Sequence, residues 1–308
     1  MKKNINLFAF LALLITSGIL INATQQVPEE NSKLPVKKED KNASDSYTVK
    51  ALKIPTSMEF AGEKVPLHKA DVKERMDREL LVNTYWQSNA LLWIKRANKY
   101  FPIIEPILKK EGVPDDFKYL ALIESDLLNV TSPAGAKGIW QLLKDAGREN
   151  GLEVNDNVDE RYHLEKATRA ACSYLKKSKG QLGSWTLAAG AYHAGNYGLK
   201  QRLEEQKITS YYDVIAGEMT ERYVFRILAA KEILSNPSKY GFYLEKADLY
   251  IMPESYEVKV DTPITNIALF AKKYGTYYRE LKSFNPWLRE NTLNNKSRKV
   301  YYIKLPEK

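Results

Sequence analysis

A run of about 170 residues with helix-period hydrophobic positions constrains the fold of this chain more than any other feature. Over residues 70–240, apolar side chains recur at intervals of three and four residues, and no convincing strand pattern interrupts them. A segment of this length can bury one sizeable all-α core. The chain has a single cysteine, Cys172, so no disulfide can form within it and the core must hold the fold. We therefore predict a mainly α-helical protein in which Cys172 is a small buried residue.

Proline, glycine and capping residues set the expected ends of the helices. A first long helix is predicted to end at Pro102, and a second helix spans residues 103–110. Pro114, followed by two aspartates, predicts the start of a helix over residues 115–128. Later helices are predicted over 139–150, 165–179, 184–193, 199–206 and 220–235.

Glu124 is a carboxylate on the apolar face of the helix predicted over 115–128. At about 100° per residue it lies within an arc of roughly 120°, which it shares with Phe117, Leu120, Ala121, Leu127 and Leu128. Asp126 points to the opposite side. An ionised carboxylate on a buried face costs several kcal/mol unless it is paired or protonated. Glu124 is therefore either a structural acid paired with a cation, or a carboxyl kept protonated as the general acid of glycoside cleavage.

Other kinds of active site find no support in the sequence. The three histidines, His68, His163 and His193, lack metal-ligand spacing, and no phosphate-binding glycine-rich loop or Ser–His–Asp signature occurs. We expect no cofactor and no metal. The net charge of +9 and the pI near 9.2 suit an anionic partner. If the chain is exported, as its first residues described below indicate, an anionic cell-wall polymer or a membrane surface fits better than nucleic acid, although a lysine-rich soluble surface has the same charge.

The first 23 residues have the organisation of an export signal. Two lysines precede an almost entirely apolar run over residues 7–21, which is short for a membrane-spanning helix. Cleavage after Ala23 and an uncleaved N-terminal anchor both fit this pattern, and the lack of a cysteine here excludes a lipoprotein anchor. Residues 24–56 are polar and charged, as in a flexible linker. We predict a periplasmic or cell-envelope location, with membrane association through the N-terminus left open.

The C-terminal region has a βααβ pattern. Residues 256–260 alternate like a strand, helices are predicted over 261–274 and 276–285, and residues 300–306 supply a closing strand. A unit of roughly 50 residues is too small to be robust unless it is well packed. We predict two domains, over residues 57–245 and 250–308.

Four short motifs occur in order between residues 123 and 224. They read Ile-Glu-Ser over 123–125, Ser-Pro-Ala-Gly-Ala-Lys-Gly-Ile-Trp-Gln over 132–141, Ala-Tyr-His-Ala-Gly over 191–195 and Thr-Glu-Arg-Tyr-Val over 220–224. Through these motifs, residues 95–242 resemble the catalytic domain of lytic transglycosylases of the goose-lysozyme type. The resemblance implies a lysozyme-like all-α catalytic domain.

The resemblance also implies an activity and a set of site residues. Such enzymes cleave the β-1,4 bond between N-acetylmuramic acid and N-acetylglucosamine in peptidoglycan strands. One glutamate protonates the leaving oxygen and then takes the proton of the muramic C6 hydroxyl, which attacks C1 and leaves a 1,6-anhydro end. Glu124 matches that glutamate. The positions that match substrate-binding residues are Ser125, Gln141, Tyr192, His193 and Tyr223.

An internal hydroxyl nucleophile removes the need for a second carboxylate. Ordinary glycosidases place one at about 5–9.5 Å from the first, whereas Asp116 lies about 12 Å from Glu124 along the helix axis. A carboxylate brought in from elsewhere in the chain stays open. Two positions depart from the family pattern, because His193 replaces an asparagine and Met219 replaces a glutamate. These departures leave a catalytically inactive peptidoglycan-binding scaffold as one alternative. A hydrolytic muramidase that uses the same glutamate with a recruited water is the other.

The C-terminal unit resembles a LysM module, which binds N-acetylglucosamine-containing glycans. The match runs from Tyr256 to Pro286 and includes Asp261 and Thr262. The glycine expected before that pair is missing and the spacing is one residue short, which shortens the first turn. The resemblance implies a small LysM-like domain that binds glycan. A packing domain that only supports the catalytic unit is the alternative.

Overall fold

Helices make up most of the described part of the chain. A computed structural model describes residues 49–307, and residues from Lys50 onward form one compact unit. The export signal predicted over 1–23 and most of the linker predicted over 24–56 lie outside the described residues. Within the described residues, no helix combines the length and the apolar character needed to cross a membrane. The prediction of a mainly α fold is confirmed.

A two-strand hairpin and two long helices begin the fold. Strand β1 (Glu59–Phe60) pairs with β2 (Glu63–Lys64), in a region where the sequence predicts no strand. Helix α1 spans Ala70–Tyr85 and α2 spans Gln87–Glu111. The break between them lies at Trp86, whose φ and ψ of −86° and 62° are not helical.

The prediction that a helix ends at Pro102 is wrong. Helix α2 runs through both Pro102 and Pro106, which lie on its exposed side. A proline removes the hydrogen bond to the carbonyl four residues earlier. Those carbonyls belong to Asn98 and Pro102, which are exposed residues, so water can replace the lost partner.

The helix that carries Glu124 is shorter than predicted. Helix α3 spans Phe117–Ser125 rather than 115–128. It ends there because Asp126 and Leu127 have left-handed φ values of 53° and 57°. Asp126 therefore lies beyond the helix, and Glu124 occupies its last turn.

The following helices agree with the sequence in number and differ in their ends. Helix α4 (Lys144–Glu149) is shorter than the predicted 139–150, because residues 139–143 form a turn in which Gln141 has a φ of 47°. The predicted positions hold to within a few residues for α5 (Leu164–Leu182), α6 (Trp185–Ala194), α7 (Asn196–Gln206) and α8 (Glu218–Ser235).

One large hydrophobic core joins these helices. Its fully buried side chains include Trp140, Phe117 and Phe225. Trp140 donates its indole N–H to Oγ1 of Thr168 at 2.8 Å, so it belongs to the core. Cys172 is also fully buried, as predicted, and burial raises the pKa of its thiol to about 12.

The C-terminal module has the predicted βααβ order. Strand β3 (Ser255–Val260) and strand β4 (Tyr301–Pro306) pair antiparallel, with Val258 opposite Ile303. Helices α9 (Ile267–Lys273) and α10 (Tyr278–Phe284) lie between them in the chain. Helix α9 starts later than the predicted residue 261 because the Asn266 side chain caps it, accepting the N–H of Leu269 at 2.9 Å.

A segment between α4 and α5 binds this module, and we call residues 153–163 the docking loop. Its Val158 and Tyr162 belong to the module's own hydrophobic core. Asn157 donates from Nδ2 to the carbonyl of Thr292 and accepts the N–H of Asn294 at Oδ1, both at 2.8 Å. The backbone N–H of Asp159 donates to the carbonyl of Trp287 at 2.9 Å.

Candidate active site

A cavity of about 310 Å³ contains Glu124. Its walls come from α1, from the break at Trp86 and the first two turns of α2, from the end of α3 and from the first half of α8. The lining residues are Glu79, Val82, Asn83, Trp86, Asn89, Trp93, Ile123, Glu124, Ser125, Asp126, Met219, Arg222 and Arg226.

The Glu124 carboxyl is held by one phenol. The hydroxyl of Tyr223, on α8, donates a hydrogen bond to Oε1 of Glu124. Burial raises the pKa of Glu124, whereas this hydrogen bond and the charge of Arg226 act in the opposite direction. Burial and the nearby Glu124 charge raise the pKa of Tyr223 well above its usual value, so it remains a proton donor. A carboxyl with a raised pKa can carry a proton into a reaction.

His193 lies behind this pair. Its ring stacks on the Tyr223 ring with centroids 5.0 Å apart and an interplanar angle of 17°. Burial, followed by the charge of Arg226, lowers the pKa of His193. The imidazole is therefore neutral at neutral pH, and its ring packs against the phenol that holds Glu124.

Tyr192 holds a loop, not the carboxyl. Its hydroxyl donates to the carbonyl of Trp140 at 2.6 Å, and its ring meets that of Tyr174 edge-on at 5.4 Å. Burial and then the charge of Glu124 raise its pKa well above the usual value. Tyr192 thus fixes the 132–141 block beside the site.

Hydrogen bonds from the side chains of Ser125 and Gln141 also hold this block in place. The Ser125 hydroxyl donates to the carbonyl of Ile139 at 2.8 Å. The Gln141 side chain donates from Nε2 to the carbonyls of Gly138 at 2.7 Å and Val130 at 3.1 Å. Of the predicted site residues, Glu124 and Ser125 line the cavity, Tyr223 contacts Glu124, and His193 stacks on Tyr223.

The wall formed by α1 and α8 was not predicted from the sequence. Glu79 is 1% exposed and pairs with Arg222 Nε at 2.6 Å and with Arg78 at 2.7 Å. Trp86 lines the same cavity and is 60% exposed. One signal in the sequence pointed to α8, because Met219, Arg222, Tyr223 and Arg226 follow the i, i+3, i+4, i+7 spacing of one helix face.

The acidic neighbours of Met219 are engaged elsewhere. Glu218 pairs with Arg222 at 3.1 Å and with Arg78 at 3.2 Å. Glu221 accepts the N–H groups of Ala216 and Gly217 at 2.9 and 3.0 Å, ahead of the first turn of α8. Neither carboxylate lines the cavity, whereas Met219 does and is 57% exposed. Among residues 49–307, no group of three or more His, Cys, Asp or Glu side chains is placed to hold a metal ion.

Two family models match this chain. The transglycosylase SLT domain matches residues 101–215, and the soluble lytic transglycosylase C-terminal LysM-like domain matches residues 256–308. The chain contains a transglycosylase SLT domain followed by a LysM-like domain. The SLT match includes Glu124 and the 132–141 block, and it ends before α8. The walls that carry Trp86 and Arg226 therefore lie outside the matched residues.

Known relatives agree with the family models. Membrane-bound lytic murein transglycosylase D of Escherichia coli strain K12 is 28% identical over 246 residues, and the protein of the same name in Escherichia coli O6:H1 strain CFT073 gives the same values. The matched region covers 77% of this chain and 52% of either relative. The chain therefore spans about half the length of the curated relatives it matches.

Proposed function

We propose that this protein is a peptidoglycan lytic transglycosylase. It cleaves the β-1,4 bond between N-acetylmuramic acid and N-acetylglucosamine and leaves a 1,6-anhydro end. The observation that carries this proposal is the Glu124 carboxyl, which lies within the residues that match the SLT domain, has a raised pKa, lines a cavity and accepts a hydrogen bond from Tyr223.

In the first step Glu124 acts as the acid. Its carboxyl donates a proton to the glycosidic oxygen as the bond from that oxygen to C1 breaks. The carboxylate that results keeps the hydrogen bond from Tyr223, and the charge of Arg226 also stabilises it. These two groups favour the ionised form once the proton has left.

In the second step the same carboxylate acts as the base. It accepts the proton of the muramic C6 hydroxyl as that oxygen bonds to C1, which closes the anhydro ring. No water is consumed, and Glu124 ends the cycle protonated. The nucleophile belongs to the substrate, so the step has the advantage of an intramolecular reaction.

The other carboxylates near Glu124 support this mechanism over hydrolysis. A hydrolase needs a second carboxylate that is free to activate water or attack C1. Glu79 is enclosed by two arginines, and Asp126 accepts the indole N–H of Trp93 at 2.6 Å. Asp116 pairs with Lys231 at 2.7 Å.

The five residues predicted to bind substrate divide into two groups in this proposal. Tyr223 sets the position of the Glu124 carboxyl through its hydrogen bond, and His193 packs against the Tyr223 ring. The shape of the 132–141 block is held by Ser125, Gln141 and Tyr192. This block in turn contacts the glycan.

We extend the proposal to location and to the C-terminal module. The name of the relatives, membrane-bound lytic murein transglycosylase D, supports action in the cell envelope. The LysM-like module supports a second contact with glycan strands. A net charge of +9 suits an anionic wall polymer.

Product analysis tests the reaction. Purified sacculi are incubated with residues 24–308 of the wild type and of Glu124→Gln, and the soluble products are identified by mass spectrometry. We expect anhydro-muropeptides from the wild type and none from the variant, because glutamine cannot donate and recover the proton. Reducing ends from the wild type would show a hydrolase. Sacculus binding without products from either protein would show a wall-binding scaffold.

A further inference from the structure

Two arginines one turn apart on α8 line the cavity of Glu124, and their pairing differs. Arg222 binds Glu79 at 2.6 Å and Glu218 at 3.1 Å. Arg226 has no carboxylate oxygen within 4.0 Å among residues 49–307. The side-chain hydrogen bond it makes is a long one, from Nη2 to the carbonyl of Ile123 at 3.3 Å.

The lack of an anionic partner is costly at this position. Arg226 is only partly exposed, and a guanidinium carries five N–H donors that need acceptors. A partly desolvated cation is stabilised when an anion satisfies those donors. Glu124 cannot be that anion in the resting enzyme, because the proposed reaction starts with its carboxyl protonated.

The electrostatics of the site point to an anion supplied by the ligand. The charge of Arg226 lowers the pKa of Glu124, against the effect of burial. An anion bound to Arg226 would offset part of that charge and so help Glu124 keep its proton before the bond breaks, while the remaining positive charge still favours the carboxylate afterwards. Peptidoglycan offers carboxylates beside the scissile bond, because muramic acid carries a lactyl group that ends in a carboxylate or continues into a peptide.

We propose that Arg226 binds a carboxylate on the lactyl or peptide substituent of muramic acid, and so selects charged strands over neutral ones. This inference rests on the proposed function. The group that the guanidinium recognises is a carboxylate. The source of that carboxylate is either a stem peptide or the free lactyl group that remains when the peptide has been removed.

Three substrates separate these sources. The first is peptide-bearing strands, the second is strands stripped of peptide by an amidase, and the third is stripped strands whose carboxyls are converted to methylamides. The wild type, Arg226→Gln, Arg226→Lys and Arg169→Gln are compared by kcat/KM for anhydro product. Arg169 is an exposed arginine on α5 that does not line the cavity of Glu124, so its variant controls for the change in net charge.

We expect the wild type to prefer at least one charged strand over the neutral strand by about tenfold or more, as for a charge-assisted hydrogen bond pair. Arg226→Gln should bring that ratio close to one. Arg226→Lys should recover part of the preference, because lysine keeps the positive charge but lacks the planar guanidinium that binds a carboxylate through two hydrogen bonds. Arg169→Gln should behave as the wild type. The strand on which the preference appears identifies the carboxylate.

An equal loss on all three strands in Arg226→Gln, or no preference in the wild type, would overturn the inference. A binding measurement keeps it testable if the chain proves inactive. Dissociation constants of Glu124→Gln and of Glu124→Gln/Arg226→Gln for the same strands should show the same loss of preference. Failure of the proposed function would instead appear as no anhydro product from any strand, whatever the residue at position 226.

Discussion

The charge state of Glu124 depends on few groups. Burial raises its pKa, whereas the Tyr223 hydroxyl and Arg226 oppose that rise. Tyr192 and Asp126 also lie nearby, but the first is tied to Trp140 and the second to Trp93. Since the acid must start protonated, activity is present below the raised pKa and lost as the pH rises through it.

Tyr223→Phe tests this arrangement. Loss of the phenol removes a hydrogen bond that favours the ionised carboxylate, so the pKa of Glu124 should rise further. We expect the alkaline limb of the kcat profile to move to higher pH, while kcat at its optimum falls about tenfold or more, as for a loss of one charge-assisted donor. The measurement is the rate of anhydro product formation across pH.

Tyr197→Phe is the control for this change. Tyr197 is an exposed tyrosine on α7, and its variant should keep the wild-type profile. An alkaline limb at the same pH in Tyr223→Phe and the wild type would contradict the role given to Tyr223.

The sequence predicted this site only in part. Glu124 was recognisable because a lone carboxylate lies on an apolar helix face, and the motif blocks gave its neighbours. Arg222, Arg226 and Trp86 were not found, because a cation on α8 or an indole at a helix break looks like an ordinary surface or core residue. Their role depends on the packing of α1 against α8, which no local pattern encodes.

At the scale of elements, the period of the hydrophobic residues predicted which segments form helices. The first and last residues of those helices, however, were set by tertiary contacts. The period located α5 to α8 to within a few residues. It failed at Pro102, where exposed carbonyls tolerate a proline. It failed again at Ser125, where two residues adopt positive φ. Both wrong predictions depend on the tertiary surroundings of the helix, which the local sequence does not reveal.

The turn before Gln141 depends on close packing at Gly138. This glycine has a φ of +78°, and a Cβ built there would lie 1.9 Å from the carbonyl oxygen of Arg161 in the docking loop. Gly138→Ala should therefore lower the free energy of unfolding by about 2–4 kcal/mol, from backbone strain plus overpacking. Urea unfolding gives the value.

Gly135→Ala is a matched control. Gly135 has a similar φ of +80°, but nothing lies within 4 Å of its added Cβ. Its variant should lose about 1 kcal/mol from backbone strain alone. Equal losses at the two positions would show that the contact with Arg161 does not constrain the turn.

The break between α1 and α2 exposes an indole in the cavity. Trp86, at the break, is 60% exposed and lines the cavity of Glu124. Aromatic faces stack on apolar sugar faces, so Trp86→Ala should raise KM for strands about 3- to 10-fold with little effect on kcat. Tyr243→Ala, at an exposed tyrosine outside the cavity, should leave KM unchanged. A fall in kcat alone would argue against stacking.

At the scale of the whole molecule, the docking loop joins the two matched domains. Asn157 bonds to Thr292 and Asn294, and Val158 and Tyr162 complete the module's core. Lys299 pairs with Glu153 at 2.5 Å, and the Arg289 guanidinium lies 4.1 Å from the centre of the Tyr162 ring. We expect the SLT domain and the LysM-like module to unfold together.

Asn157→Ala measures this coupling. The variant leaves a donor and an acceptor of the module without partners, at a cost of about 2 kcal/mol. Calorimetry should give one transition for the wild type and a lower or split transition for the variant. Asn236→Ala removes a side-chain bond to Glu232 within its own helix end and should change little. Two separate transitions in the wild type would contradict the coupling.

The shared docking loop also limits how such chains can be recombined. A module exchanged at residue 250 would arrive without Val158 and Tyr162, while the recipient would keep a loop shaped for another surface. The natural unit of exchange is therefore discontinuous, with residues 153–163 and the C-terminal 50 or so residues inherited together. Chimeras that move both segments should fold, and those that move one should reveal the mismatch.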